Sequence, residues 1–370
     1  MNENNKPVTK RVTIVIPSLN PDEKLKNTVA ELESAGFDDI IVIDDGSADE
    51  YKSNFPDASD TVTRLTHVVN RGKGAAMKTA FAAFIARGGD REGVITVDGD
   101  GQHRCADVIA CAEAMLDGKP ALVLGCRNFD LPHVPERSRK GNKITSKVFK
   151  ILFGMNVSDT QTGLRAIPTV YLPKIAEVRG DRYEYETNML MALKPERIPY
   201  REVPIETVYI NENETSHFRP VRDSIRIYGL ILKFLASSCA SAVVDIVGFQ
   251  LFQMLYIFLR VPFADYAAAI SARVVSAIVN FTINKNAVFG GSGSTAKLFA
   301  RYVALAVPML AVSSVSVHYL GALLGGKTFV RTLIKIPIDT ILFIVSFRVQ
   351  REWVFGRDKN ENIKGDNNAR

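Results

Sequence analysis

The sequence predicts an α/β domain, a mostly parallel sheet with helices on both faces, followed by an all-α domain of four transmembrane helices. Three observations carry this. Short continuous apolar runs alternate with helix-period segments through residues 1–225. Each of the first four runs stops on a polar tip. Beyond residue 225 acids become scarce and apolar stretches reach membrane length.

The elements follow in order. Val12–Pro17 is a buried-type strand closed by Pro17-Ser18-Leu19-Asn20-Pro21, and Asp22–Ala35 spaces Leu25, Val29 and Leu32 on one helical face. Ile40–Ile43 is a second strand, ending in Asp44-Asp45-Gly46-Ser47. Thr66–Val69 is expected as a third, before Asn70-Arg71-Gly72-Lys73-Gly74 and a helix from Ala75 to about Ala86. Val94–Val97 and Ala121–Leu124 are the fourth and fifth strands, with a helix over Ala106–Leu116 between them. In such sheets ligands gather beyond the carboxyl ends of the strands, which puts the four polar tips on one face.

The whole-chain charge of +6 conceals a split. Residues 1–225 hold 30 Lys/Arg against 33 Asp/Glu, whereas residues 226–370 hold 16 against 7. A basic balance beside long apolar runs points to a bilayer, and no nucleic-acid-binding motif accompanies it. The four cysteines (Cys105, Cys111, Cys126, Cys239) lack CxxC spacing and paired histidines, so small buried thiols are expected rather than disulfides or zinc. His103, His133 and His217 lie in polar loops at no metal-ligand spacing and read as surface or hydrogen-bonding histidines. The polar start of the chain, with a first apolar run of strand length, carries no signal-peptide pattern.

The tips differ in what they offer. Gly72-Lys73-Gly74 can present backbone N–H groups and a lysine to a phosphate, or serve as a plain helix-entry loop. It matches neither a dinucleotide fingerprint nor a Walker A pattern. Asp44 can accept hydrogen bonds from a base or ribose, or act as a turn former. Asp98, Asp100 and Gln102 share one direction if strand alternation continues past Val97. Their hard oxygens suit Mg2+ or Mn2+ bridging a diphosphate, although Asp-Gly-Asp-Gly by itself also reads as a solvated turn.

Taken together, four blocks resemble a family-2 glycosyltransferase of the GT-A (Rossmann-like) fold. They are Val15–Asn20, Ile43–Ser47, Asn70–Gly74 and Val97–Gln102. Gly125-Cys126-Arg127, Ser138-Arg139 with Asn142, Ser158–Arg165 and Tyr183–Glu186 narrow the resemblance to enzymes that glycosylate polyprenyl phosphates, similar to dolichol-phosphate mannose synthase and bactoprenol glucosyltransferases. The resemblance covers nearly all of residues 10–225. It implies a nucleotide-binding set of Pro17, Asn20, Asp44, Asp45, Lys73 and Asp98, with metal and diphosphate held by Asp98, Asp100 and Gln102. It also implies Asp100, Asp159, Arg127 and Arg139 as catalytic, the two arginines on the acceptor phosphate and Asp159 near the reacting sugar. The sequence departs from the family at Pro21, where a glutamate is usual; Asp22 and Glu23 follow. Without the motifs, the basic stretch Arg127–Lys150 reads as a solvated loop or as attraction to anionic headgroups. Asn211–Arg219 reads as a lid over the site or as a linker.

In the second domain Tyr302–Gly326 runs 25 residues without a formally charged side chain, and Phe234–Leu259 is interrupted solely by Asp245. Tyr266–Ile283, with Arg273, and Phe329–Val349, with Lys335 and Asp339, complete four spans. Asn280–Phe289 and Ser346–Phe355 repeat one pattern and close two hairpins, a parallel repeat. The Lys/Arg bias places both termini, with the catalytic domain, in the cytoplasm. This half, about residues 230–356, resembles the GtrA-like family, which implies an anchor or a flippase for a lipid-linked sugar. Asp245, Arg273 and Asp339 are expected as intramembrane partners, because unpaired charges there are costly.

The expectation is therefore a membrane-bound hexosyltransferase moving one sugar from a UDP-glucose- or GDP-mannose-type donor to a polyprenyl phosphate, with the bilayer as partner and self-association left open. A processive polysaccharide synthase is a rival, although Gln350-Arg351-Glu352-Trp353 has the wrong spacing for that class. A lipid-sugar translocator with a nucleotide-sugar-binding module is a second.

Overall fold

The computed structural model describes residues 6–132, 134–206, 229–291, 293–323 and 328–356. It folds as two compact units, Met1–Ile227 and Tyr228–Arg370. His133, His217 and the segment Asn211–Arg219 lie outside the described residues.

The first unit is a seven-stranded sheet: β1 (Val12–Ser18), β2 (Ile40–Asp44), β3 (Val62–Thr66), β4 (Gly93–Thr96), β5 (Leu122–Arg127), β6 (Arg165–Pro168) and β7 (Tyr200–Ile205), in the order β3-β2-β1-β4-β6-β5-β7. All neighbours are parallel except β6, which runs antiparallel between β4 and β5. The continuous apolar runs of β1, β2 and β4 are explained by burial on both faces, which a parallel sheet under helices requires. Ile14, Ile16, Val42 and Ile95 join Leu25, Val29 and Leu32 of α1 (Lys24–Ser34) in one core. α2 (Lys73–Arg87) and α3 (Cys105–Leu116) bury Phe81, Phe84, Val108 and Cys111. α4 (Glu136–Val148), α5 (Leu172–Ala176) and α6 (Glu184–Leu193) complete the unit.

Two expectations need correction here. The third strand is Val62–Thr66 rather than Thr66–Val69. It is the edge strand of the sheet and mostly only partly buried, and the apolar Val68 and Val69 are 98% and 64% exposed past its end. β6 and β7 are additional. β6 has four residues and begins on Arg165, so neither length nor apolarity announced it.

The second unit contains four long helices: α7 (Gly229–Phe258), α8 (Ala264–Ile283), α9 (Thr295–Leu323) and α10 (Thr328–Val349). Three of them, α7, α8 with its extension to Phe289, and α9, are long and apolar enough to cross a membrane. α10 has the length of a span but carries Lys335 and Asp339, so of the four expected spans three are long and apolar enough to cross a membrane among the described residues, and the fourth is charged.

The sequence repeat is visible as structure. α8 and α10 both run on into π-helical turns, Asn284–Phe289 and Gln350–Val354. Equivalent residues meet: Asn284 Nδ2 donates to Gln350 Oε1 at 3.0 Å, and the Phe289 and Phe355 rings stack at 5.4 Å. The cross pairs are reciprocal, Phe281 with Phe355 at 5.7 Å and Phe289 with Phe347 at 5.8 Å. Such reciprocity is what an isologous two-fold interface produces between identical subunits. The buried Asn284 also accepts from Ser237 at 2.5 Å and donates to Asn280 at 2.9 Å.

Arg273 pairs with Asp245 at 3.1 Å, and Ser276 donates to the same carboxylate. The expected grouping of Asp339 with them is not what forms: Asp339 takes Ser313 at 2.8 Å and an ion pair from Lys335. A lysine one helical turn away on the same helix and a serine on the paired helix α9 neutralise it within its own hairpin. Asn284→Leu removes the amide that several buried partners share, so it should destabilise the second unit by about 1–3 kcal/mol. Thermal unfolding in detergent would measure this, and an unchanged midpoint would refute the amide seam.

Candidate functional site

The tips of β1, β2, β4 and β5, the helix entry after β3 and the loop before β6 gather at one end of the sheet. Their acids fall into two groups. Asp44, Asp45 and Asp159 are buried and consumed by their surroundings. Asp44 accepts the Ser47 N–H at 2.8 Å and faces Arg64 at 3.4 Å. Asp45 accepts the N–H groups of Arg71 at 3.0 Å and Gly72 at 2.7 Å, and takes Nδ1 of His67 at 2.7 Å. A carboxylate only accepts, so His67 donates from Nδ1, and Nε2 meets Thr79 at 2.9 Å. Asn20, at φ +49°, donates its N–H to Ser47 Oγ and accepts from Ala48, which ties the first tip to the second. Pro17 sits in register with Ile43 on β1. Gly72 stands at φ +105°, and a Cβ there would lie 2.3 Å from the Asp181 carbonyl oxygen, so only glycine lets this loop enter α2.

Asp159 is held harder. Arg127 donates to it from Nε at 2.7 Å and from its second guanidinium arm at 3.2 Å, and backbone N–H groups of Arg127 and Gln161 add 3.3 and 3.0 Å bonds. The carboxylate thus aims the guanidinium, which also lies 5.1 Å over the Phe129 ring. Arg139, expected on a phosphate, points elsewhere. It donates to the carbonyls of Phe129 at 2.9 Å and Leu131 at 2.8 Å and so shapes the loop after β5. Asn142 Nδ2 donates to the Ser158 carbonyl at 2.6 Å and steadies the loop that carries Asp159.

The second group is half-open. Lys73, the first residue of α2, lies 2.7 Å from Asp98 and 2.9 Å from Glu186 on α6. Burial works to raise the Asp98 carboxyl, but Lys73 and then His103 outweigh it and leave it at about 2. Burial and the charge of Asp98 push Asp100 up, and burial pushes His103 down. Burial likewise opposes the charged form of Lys73, yet Asp98 and Glu186 raise its pKa. The strand alternation expected to align Asp98, Asp100 and Gln102 stops at Thr96; Gly101 turns the chain at φ +76°, and Asp100 accepts the Gln102 N–H at 3.0 Å. His103 is a hydrogen-bonding histidine as expected, accepting the Asp98 N–H at 3.1 Å.

Among the described residues no three His, Cys, Asp or Glu side chains converge as a metal site. Two neighbouring carboxylates nevertheless fit a hard cation that arrives with its own phosphate ligands, because Mg2+ needs only one or two protein carboxylates in such sites. Burial, and then the charge of Asp98, raise Asp100, and a cation placed there would offset both.

Three contributors were not expected as site residues. Glu186 lies in the Tyr183–Glu186 motif at the start of α6, and His67 follows β3 as a polar residue before the valines. Gly163 packs its Cα so close to Asp98 that a Cβ would sit 2.3 Å from Oδ2. Thr96 and Arg165 hold that loop: the Thr96 hydroxyl donates to the Gly163 carbonyl at 2.7 Å, and the fully buried Arg165 donates to the carbonyls of Thr162 at 3.1 Å and Glu186 at 2.6 Å. The four cysteines are free; burial pushes the Cys111 and Cys126 thiols up to about 12.

Residues 13–190 match the family described as "Glycosyl transferase family 2", and residues 233–355 match "GtrA/DPMS, transmembrane domain". An uncharacterized protein of Methanocaldococcus jannaschii is 30% identical over 202 residues, 54% of this chain and 82% of that one. The UDP-N-acetylglucosamine--dolichyl-phosphate N-acetylglucosaminyltransferase of Methanococcus voltae is 30% identical over 219 residues, 54% of this chain and 86% of that one. An undecaprenyl-phosphate mannosyltransferase of Micrococcus luteus is 28% identical over 210 residues, covering 54% and 84%. Among solved structures, a Mycobacterium tuberculosis glucosyl-3-phosphoglycerate synthase aligns over 62% of this chain and 81% of that one, with 18% identity and a TM-score of 0.46.

Lys73→Met leaves Asp98 and Glu186 without their shared cation. The variant should lose about 2 kcal/mol of stability, and Mn2+ alone should raise its melting temperature more than that of the parent protein. Equal stability and equal response to Mn2+ would show that Lys73 does not serve as that counter-ion.

Proposed function

Because the chain belongs to glycosyl transferase family 2, we infer that it transfers a single sugar from a nucleotide-sugar donor to a polyprenyl phosphate in the membrane it spans. Lipid-linked sugar transfer is the activity of the family branch its relatives occupy; the donor class, the single transfer and the roles below are our reading. The observation that carries it is the pairing of two devices at one sheet end: Arg127 aimed by Asp159, and the acidic tip Asp98–Asp100 beside Lys73.

A lipid phosphate is anionic at neutral pH, so the nucleophile needs no strong general base. The geometry of Asp159 agrees with this. Its oxygens accept from Arg127 and Gln161, a geometry that employs it as an anchor for the guanidinium. In this reading Arg127 meets the acceptor phosphate with its planar fork, and Arg139 keeps the neighbouring loop in shape. Asp44, Asp45 and Asn20 hold the loops that receive the nucleoside, and Lys73 stands at a helix N-terminus within reach of a diphosphate. Asp98, Asp100 and Gln102 would hold Mg2+ or Mn2+, which when bound supplies charge neutralisation of the departing diphosphate. The catalytic unit is assigned to the cytoplasmic side, on the Lys/Arg distribution of the second unit.

The test incubates the full-length protein in detergent or nanodiscs with undecaprenyl phosphate and a panel of labelled UDP- and GDP-sugars. One donor should give a singly glycosylated lipid; a long polymer would favour a processive synthase, and no product from any donor would overturn the reading. Asp100→Ala should lower turnover by about 100-fold or more while membrane insertion is unchanged. Arg127→Lys should act chiefly on the lipid acceptor, lowering kcat/KM about 10–100-fold through loss of the bidentate fork. Gly163→Ala displaces Asp98 and should cost at least about 10-fold in kcat with the fold intact.

A further inference from the structure

We propose that α4 is a membrane-docking helix, lying on the anionic face of the bilayer that the second unit spans. Three observations support this assignment. One side of α4 is committed to the protein: Asn142 and Thr145 are buried, and Arg139 and Asn142 grip the loops around Arg127 and Asp159. The opposite side carries Ile144, Val148 and Ile151 at i, i+4 and i+7, a single line along the helix and its π-helical continuation, Phe149–Phe153. Ile144 is 62% exposed and Ile151 39%.

The charge beside that line is the second observation. Lys140, Lys143, Lys147 and Lys150 are exposed, and Glu136 is the helix's sole acid. Two of the lysines are neutralised locally, Lys140 by Glu136 at 2.9 Å and Lys143 by Asp130 at 2.7 Å, both at exposed positions. Exposed pairs of this kind exchange readily for other anions. Isoleucines framed by lysines on one face, over a polar face that is otherwise engaged, are the pattern of a helix lying in the headgroup region. A soluble docking partner would have no reason to be always present. The bilayer is, because this same chain enters helices long enough to cross it from Gly229 onward, about two dozen residues after β7 ends.

The third observation links the face to the site. The helix that would rest on lipid also positions, through Asn142 and Ser158, the loop bearing Asp159. Docking would therefore orient the catalytic end of the sheet towards the surface where a lipid phosphate emerges. The docking claim itself needs only the membrane spans and not the transfer reaction, so the two can fail separately.

The experiment uses the full chain in nanodiscs of phosphatidylcholine with about one-third phosphatidylglycerol. In a background with Cys105→Ser and Cys239→Ser, single cysteines are introduced by Ile144→Cys, Ile151→Cys or, as a control, Val170→Cys, and labelled with nitrobenzoxadiazole. Val170 is 63% exposed on a different element, the turn Thr169–Tyr171. Brominated lipid chains should quench the labels at 144 and 151 at least about threefold more than the label at 170. The quenching should fall when phosphatidylglycerol is omitted, or when Lys140→Gln, Lys143→Gln and Lys147→Gln are combined. Labels at 144 and 151 that stay as unquenched as that at 170 overturn the proposal. Labels shielded equally in lipid-free detergent also overturn it, since a protein surface would then be the occupant.

Discussion

Burying a carboxylate is costly unless its oxygens are hydrogen-bonded, and this chain meets that demand for three acids at one end of its sheet. Asp44, Asp45 and Asp159 have no exposure, or almost none, yet each accepts hydrogen bonds from neighbouring donors. Asp45 draws in the helix entry of α2 through two backbone N–H groups and the His67 ring. Asp159 draws in Arg127. The loops at this end of the sheet are therefore ordered by the acids they enclose, and a loop ordered in advance spends less binding energy when a ligand arrives.

The contrast with Asp98 and Asp100 has functional consequences. These two remain partly open and repel each other, with Lys73 and His103 as positive or polarisable neighbours of both and Arg127 acting on Asp98 as well. A lysine is a compact point charge on a flexible stem, whereas the guanidinium on Asp159 is a rigid fork. One carboxylate system is thus held by a flexible lysine stem, and the other by a rigid bidentate fork.

The second unit obeys the same demand in a different solvent. Among its buried polar groups, Asn284, Gln350 and Ser237 are satisfied across a pseudo-two-fold seam. The charged pairs Arg273–Asp245 and Lys335–Asp339 occupy separate hairpins. Repeat-equivalent positions carry opposite charges at 273 and 339, so each hairpin had to find its own neutralising partner. Inside a membrane the alternative is an uncompensated charge, which explains why both pairs are local.

What the sequence by itself determined is everything with a short period or a fixed spacing. The alternation of buried strands with helices, the polar tips, the membrane-length runs and the repeat of 280–289 in 346–355 are properties of neighbouring residues, and periodicity reports them. A short, partly polar edge strand, such as Val62–Thr66, and a four-residue antiparallel insertion, such as Arg165–Pro168, leave too weak a pattern to read. Only the tertiary structure decided which acids are spent on loops and which stay available. It also decided that Arg139 serves carbonyls, that Lys73 bridges Asp98 to Glu186, and that Asp339 belongs with Lys335 and Ser313. Those outcomes depend on which of several nearby donors the sheet order brings to a given carboxylate, and hydrogen bonds form by distance in space rather than along the chain.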